Sequence, residues 1–281
     1  MLRLTPVVRN LLVINIVVFI LQKLLGNLYF TELVSLWPIG SENWKPYQFF
    51  SYMFAHGDFG HILFNMIGLI FLGPMLEHFW GPKRFLTFYL VTGIGAGVLY
   101  GGIEYVKNKR VERAADQFVS QPTPQKYLEF VNDFLDFRES KSGIPYDALF
   151  RRGYSQQGVL DLADKYEGNP ENDFLEQQAI QVVKDKNWLE QNLGLMLGAS
   201  GAIYGILMAF GLLFPNTELM LIFPPIPVKA KYLVLVLGGI ALYSGFSSNP
   251  EDNTAHLAHL GGMIFAFIMI KIWQQGRDRF Y

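Results

Sequence analysis

The sequence predicts an all-α polytopic membrane protein: a bundle of six transmembrane helices with a mainly helical extramembrane insert between the third and the fourth. Three observations lead there. Hydrophobic residues make up 51% of the 281 positions and charged ones only 17%, with a mean hydropathy of +0.22, too apolar for an ordinary soluble chain of this size. The charges are unevenly spread, 27 of the 47 Asp, Glu, Lys and Arg lying between Val106 and Glu190 and 20 among the other 196 residues. Six stretches, finally, meet the roughly 20 mostly apolar residues that a hydrocarbon core of about 30 Å demands of a helix.

Taken in order, the expected spans are Val7–Leu25, His61–Phe79, Phe85–Tyr105, Asn192–Phe214, Val228–Phe246 and Ala255–Trp273. The first follows Arg3 and Arg9 as a signal peptide would, but Lys23, Leu24 and Leu25 at its end offer no small-x-small cleavage site, so it reads as an uncleaved span. Residues Tyr29 to Gly60 are rich in aromatics, Trp37, Trp44, Tyr47 and Phe49 among them, and suit the headgroup layer. The fifth span is the weakest, since Lys229 and Lys231 must snorkel and Gly238-Gly239 sits within it. Within the insert, Gln125–Phe137 and Asn172–Gln191 place apolar residues at helical spacing, while Ser142-Gly143-Ile144-Pro145 and Glu167–Pro170 break the pattern. The expected organisation is therefore residues 1–105 with three spans, 106–190 as an insert on the outer face, and 191–281 with three further spans completing one membrane domain.

Charge orients the bundle. With the N-terminus in the cytoplasm, nine Lys or Arg flank the spans inside (Arg3, Arg9, Lys83, Arg84, Lys229, Lys231, Lys271, Arg277 and Arg279) against Lys23 and Lys45 in the short outer segments. Both termini are then cytoplasmic, and the long insert faces outward because segments of that length translocate with little regard to charge. The starts of spans two, four and six all fall near the outer face. There stand His61 and Asn65, then Ser200, expected one to two turns into its helix, then His256 and His259. Polar groups inside a bilayer are costly and usually face the bundle interior, so their gathering at one depth marks a candidate site. A net charge of −1 with no basic face gives no reason to expect nucleic acid as a partner. Zero cysteines exclude disulfides, thiolate chemistry and Cys-ligated metals, and no cofactor is implied.

Each motif has a plain reading beside the chemical one. Gly198-Ala199-Ser200-Gly201 is small throughout, which suits close helix packing in lipid with Ser200 bonded to a backbone carbonyl; its hydroxyl is also a nucleophile. Ala258-His259-Leu260-Gly261-Gly262 sets an imidazole among residues that admit another helix, and an imidazole can take a serine proton and return it to a leaving amine. His61 and Asn65, four apart, share a helix face and carry N–H groups able to donate to an oxyanion, or to cap the helix start. His56 reads as a residue of the outer loop. His256 and His259 stand three apart, but no carboxylate lies near and the His-Glu-x-x-His pattern is absent, so no metal site is expected.

The order His61-x-x-x-Asn65, Gly198-x-Ser200-Gly201 and Ala258-His259-x-x-Gly262, each on its own span, resembles the rhomboid family of intramembrane serine proteases. Trp44-Lys45, Gly73-x-x-x-Glu77 and Tyr204 add to the match, which covers about Trp44 to Ile270 apart from the insert. Lys45 where arginine is commoner and Ala266 where glycine often stands depart from the pattern without removing chemistry. The resemblance implies a six-helix fold in which Ser200 attacks and His259 shuttles the proton as a dyad without a carboxylate. It further implies an oxyanion hole of His61, Asn65 and the backbone at Ala199 and Ser200, a Tyr204 ring packed on His259, and support from Gly198, Gly201 and Gly262. Single-span membrane proteins are the substrates it implies and the bilayer the other partner, with a bacterial inner membrane fitting the minimal layout. Two other functions stand against it: an inactive relative that binds membrane helices without cutting, and a six-helix transporter, for which duplicated halves are missing. Span five, with Gly238, Gly239 and Gly245, and residues 247–253 are the candidate gate; the insert recruits substrate, holds the loop over Ser200, or is decoration.

Overall fold

The computed structural model describes residues 4–25, 29–139, 147–220, 225–246 and 255–275. The breaker at residues 142–145 and the loop at 247–253 lie outside them. Helix α1 (Pro6–Leu24) begins with a proline, whose missing N–H costs nothing in a first turn. Its next free N–H groups, those of Val7 and Val8, donate to the carboxylate of Glu77 at 3.0 and 2.9 Å, as does the Thr5 hydroxyl at 2.5 Å. Glu77, 3% exposed, thereby serves as the cap that α1 lacks in its own sequence.

The first loop folds inward rather than lying loosely at the interface. It contains α2 (Tyr29–Val34), α3 (Gln48–Ser51) and one 3-10 turn at Tyr52–Phe54. Buried Gln48 ties it together, accepting from the backbone N–H of Trp37 and Lys45 and donating to the carbonyl of Asn43. The Tyr52 hydroxyl donates to the Gly93 carbonyl at 2.6 Å.

Next come α4 (Phe59–Trp80), capped by Asp58, and α5 (Pro82–Ser120), separated by Gly81 at φ +80°. The third span was expected to end at Tyr105; instead α5 runs on without a break for 39 residues and supplies the first wall of the insert. The apolar run ends where expected, but Val111, Ala115 and Phe118 continue the helical spacing, and a second hydrophobic core holds the extension in place. That core also takes residues from α6 (Pro124–Phe134), α7 (Ala148–Arg151), α8 (Gln156–Gly168) and α9 (Asp173–Asn192). It is centred on Tyr127, Leu149, Tyr166 and Val183, and the helices expected at 125–137 and 172–191 are α6 and α9.

The fourth expected span, Asn192–Phe214, needs correction. Helix α10 runs only from Ser200 to Leu213, about 21 Å at 1.5 Å per residue. Residues 193–199 are not helical: Gly194 and Gly198 take φ of +95° and +125°, and Met196 bridges backbone to backbone with Leu36 of the first loop. A short antiparallel pair, β1 (Glu218–Met220) and β2 (Pro227–Lys229), leads into α11 (Ala230–Phe246), and α12 (His256–Gln275) follows. Among the described residues α1, α4, α5 and α12 are long and apolar enough to cross a membrane, while α10 and α11 are apolar but shorter. The outcome is a polytopic bundle of apolar helices in an integral membrane protein, whose lipid-facing side chains, such as Leu235, Val236 and Tyr243 of α11, remain exposed.

Small residues decide how closely the central helices meet. A Cβ placed on Gly262 would lie 1.9 Å from the Gly201 carbonyl oxygen; one on Gly201 would lie 2.5 Å from the Ala96 Cβ, and one on Gly205 2.7 Å from the Thr92 Cβ. Helix α12 is thus in backbone contact with α10 and α5, while α10 meets α5 through side chains no larger than Ala96 and Thr92, as small residues permit in lipid.

Candidate active site

That contact sets Ser200, at the first position of α10, opposite His259, in the first turn of α12. The Ser200 Oγ lies 2.9 Å from His259 Nε2. The other face of the imidazole is covered by Tyr204, one turn along α10: the two rings stack with centroids 4.0 Å apart and planes within 6°. His259 is 6% exposed, so its orientation is fixed by packing on one side and the serine on its edge.

Ser200 was expected one to two turns into its helix. Its place at the helix start changes what its backbone can do, because the first N–H groups of a helix have no intrahelical acceptor and point out of its N-terminus. Met196, whose carbonyl would take the Ser200 N–H in a longer helix, gives that oxygen to the N–H of Leu36. Gly198 makes the approach possible: at φ +125° it turns the chain into the helix, and a Cβ there would meet the His61 Nε2 at 2.6 Å. His61 therefore lies against the Gly198 backbone two residues before the serine.

Asn65, one turn below His61 on α4, is 5% exposed, and its Nδ2 has no hydrogen-bond partner among the described residues. A buried unpaired donor costs about 1–3 kcal/mol, so its retention needs a use. Ser200, His259, Tyr204, His61, Asn65 and His256 all line one cavity of about 850 Å³. Tyr100, Glu104 and Lys107 of α5 form another part of its wall, Glu104 and Lys107 joined by an ion pair of 2.7 Å. The base of the insert thus belongs to the site, which the charge map alone did not reveal.

Of the residues singled out in the sequence, Gly201 and Gly262 form the helix crossing and Ala199, fully buried, precedes the serine. His56 was underrated. It does lie in the loop before α4, but it is 1% exposed, with its ring 5.0 Å from that of His61 and its Nδ1 3.3 Å from the Phe54 carbonyl. Burial, reinforced by the neighbouring His61, pushes its pKa down to about 4, so it is neutral near pH 7. Its spacing of five from His61 gave no helical signal. His256 meets His259 edge to face at 5.7 Å. Among the described residues no three His, Asp or Glu side chains gather as metal ligands would.

The Rhomboid domain family matches residues 43–111 and 181–275, more than half of the chain. The chain belongs to the rhomboid family. The residues between the two matched stretches, 112–180, supply most of the second hydrophobic core. Similar proteins include the mitochondrial RHOMBOID-like protein 12 of Arabidopsis thaliana, 31% identical over 97 residues, or 34% of this chain and 28% of that protein. An uncharacterized mitochondrial rhomboid protein of Schizosaccharomyces pombe is 28% identical over 232 residues, 79% of this chain and 50% of that one. The rhomboid protease GlpG of Pectobacterium atrosepticum is 27% identical over 135 residues, 42% of this chain and 48% of GlpG. The chain spans half or less of the length of each of these relatives.

Proposed function

We propose that this rhomboid protein is an intramembrane serine endopeptidase that hydrolyses a peptide bond in or beside the transmembrane segment of single-span membrane proteins. The observation that carries the reading is the 2.9 Å approach of Ser200 Oγ to His259 Nε2 beneath a stacked Tyr204. His259 takes the hydroxyl proton as Ser200 Oγ bonds to the scissile carbonyl carbon. The resulting oxyanion receives donors from Asn65 Nδ2, His61 and the Ser200 N–H. His259 then gives the proton to the leaving amine, and water, deprotonated by the same imidazole, releases the acyl group. The unpaired Asn65 donor supports an oxyanion role, because a donor kept idle in the resting site becomes paired only when charge develops.

The name of one relative as a protease supports the same chemistry. The paired Ser200 and His259 weigh against a non-cutting relative. The lysine and arginine count supports cytoplasmic termini with the site and the insert, residues 106–190, outward. The relatives come from mitochondria as well as bacteria, so the expectation of a bacterial inner membrane draws no support from them.

The test is cleavage of a panel of single-span proteins in liposomes by wild type, Ser200→Ala and His259→Ala. Both variants are expected to lose all measurable cleavage while a serine-directed phosphonate labels wild type alone. Equal cutting by wild type and Ser200→Ala would end the proposal.

A further inference from the structure

A crevice of about 420 Å³ lies between the insert and the membrane bundle, walled by the first loop, one face of α5, the start of α7 and the end of α9. Its walls are tied to one another. Leu36 of the first loop is bridged backbone to backbone with Met196, and the Ser41 hydroxyl donates to the Asn192 side chain at the end of α9 at 3.3 Å. The crevice also adjoins the active-site cavity. Tyr100 and Glu104 line both, and the segment before Ser200 gives Leu193 and Gly194 to the crevice and Leu195 to Leu197 to the cavity. A chain that leaves the cavity past Tyr100 therefore enters the crevice.

Two features of the crevice point to a peptide. The first is Asn108, two turns beyond Gly101 on α5. It is 6% exposed and lines the crevice, yet its side-chain amide has no hydrogen-bond partner among the described residues. Groups so enclosed are normally paired, and a carboxamide matches a peptide group, giving N–H to its carbonyl and C=O to its N–H. The second is charge. Lys186 and Asp147, each 5% exposed, form a buried pair of 2.7 Å, and Glu190 brings a second carboxylate to the same ammonium at 2.6 Å. One lysine between two carboxylates leaves a negative charge over. Glu104 and Asp136 also line the crevice, and their partners Lys107 and Arg138 have side chains 60% and 54% exposed, where an ion pair holds little. The crevice is thus lined by four carboxylates against two cations, Arg151 and Lys186. The excess negative charge surrounds an enclosed amide beside the rings of Trp37 and Tyr100, a setting for an extended chain with a basic side chain.

We infer that the crevice binds the outer flank of the substrate, an extended peptide that carries a lysine or arginine. Asn108 pairs with its backbone, and Glu190 and Glu104 take its cation. Tyr100 and Asn108 are about 12 Å apart along α5 at 1.5 Å per residue, the reach of about four extended residues. The basic residue therefore falls about four residues beyond the point where the chain passes Tyr100. The choice of occupant rests on the protease reading, so the test reads binding and cleavage separately.

The experiment measures, by fluorescence energy transfer in liposomes, the affinity of full-length Ser200→Ala protein for one labelled single-span protein made in three forms. The outer flank of the three forms, about ten residues long, carries lysines, serines or glutamates. The lysine flank is expected to bind about tenfold more tightly than the serine flank, as a charge-assisted contact predicts, and the glutamate flank most weakly. Adding Glu104→Gln/Glu190→Gln is expected to cut the lysine preference to less than about threefold, with Lys186 still held by Asp147. Adding Asn108→Leu weakens all three flanks alike, by about tenfold. Glu129→Gln/Asp133→Gln, on α6 and outside the crevice, leaves the preference unchanged. Circular dichroism of each variant establishes that the insert is folded. Equal affinity for the three flanks, or a lysine preference that survives Glu104→Gln/Glu190→Gln, overturns the recognition of a basic residue. Unchanged affinity in folded Asn108→Leu overturns the crevice as the peptide's site, and an equal loss from Glu129→Gln/Asp133→Gln assigns the preference to the general charge of the insert. Preferential binding of the lysine flank without cleavage by wild type overturns the protease reading alone and upholds the crevice.

Discussion

Replacing Gly262 by alanine sets a methyl carbon 1.9 Å from the Gly201 carbonyl oxygen, where Cβ contacts below 3.0 Å are essentially never found. Neither partner can swing aside, since both are main chain, so α12 must move from α10 by about 1.1 Å. His259 lies three residues from Gly262 on the same helix and Ser200 next to Gly201, so the displacement reaches the Ser200–His259 pair almost undiminished. The 2.9 Å gap would widen to about 4 Å, beyond hydrogen-bond reach. A misplacement of about 1 Å is worth on the order of a hundredfold in rate, while overpacking costs typically 1–3 kcal/mol of stability. On the proposed function, the expected outcome is a folded protein with kcat down about a hundredfold and KM little changed, read from initial rates on a single-span substrate in liposomes alongside a melting curve. A Gly262→Ala protein that melts below wild type yet keeps more than a third of its kcat would refute the claim that this crossing sets the dyad. Gly168 at the end of α8, with no neighbour within 4 Å of a would-be Cβ, is the control, and alanine there should leave the rate unchanged.

Further outcomes follow from the same geometry. On the proposed function Asn65→Leu should lower kcat by a factor of about 10² to 10³, as loss of one oxyanion donor does, yet leave the melting temperature equal or higher because the buried Nδ2 it removes has no partner among the described residues. Glu77→Gln should cost roughly 1.5–3 kcal/mol through weaker capping of α1, visible as earlier unfolding in a detergent titration with no change in substrate preference. In the insert, burial alone would lower the Lys186 pKa, but Glu190 and Asp147 outweigh it and hold it above its ordinary 10.5. A raised lysine contributes its full stabilisation below that value and loses it as pH rises through the folded pKa. Far-ultraviolet circular dichroism between pH 9 and 12 should therefore show the insert loosening at the alkaline end in wild type, and Lys186→Met should weaken that dependence, the part that remains belonging to tyrosines such as Tyr154 and Tyr166 whose pKa burial also raises.

The sequence displayed the bundle because hydrophobic length and charge bias act locally: α1, α4 and α12 fall within three residues of their expected limits. The proximity of Ser200 and His259 was legible for the same reason, each sitting in a run of small residues. Helix ends were another matter. The start of α10 depends on Gly194 and Gly198 adopting positive φ and on Met196 pairing with Leu36, 160 residues away in the chain, so periodicity extended the span by eight residues too many. The end of α5 was misjudged oppositely, since a loss of hydropathy marks where a helix leaves lipid and not where it stops. His56 and Glu77 act through partners distant in sequence or out of helical phase, and no local pattern announces a side chain whose task is to serve another element.

The uninterrupted α5 has a mechanical side. A 39-residue helix rises about 58 Å, of which the hydrocarbon layer takes about 30. The remainder is a lever arm fixed at one end among the helices that carry Ser200 and His259. Membrane helices change tilt to match bilayer thickness, and a change of about 5° at the fulcrum sweeps the far end near Ser120 through roughly 2 Å. The far end of α5, and the second hydrophobic core built on it, is therefore geared to the bilayer and shifts with the thickness of the membrane that surrounds it.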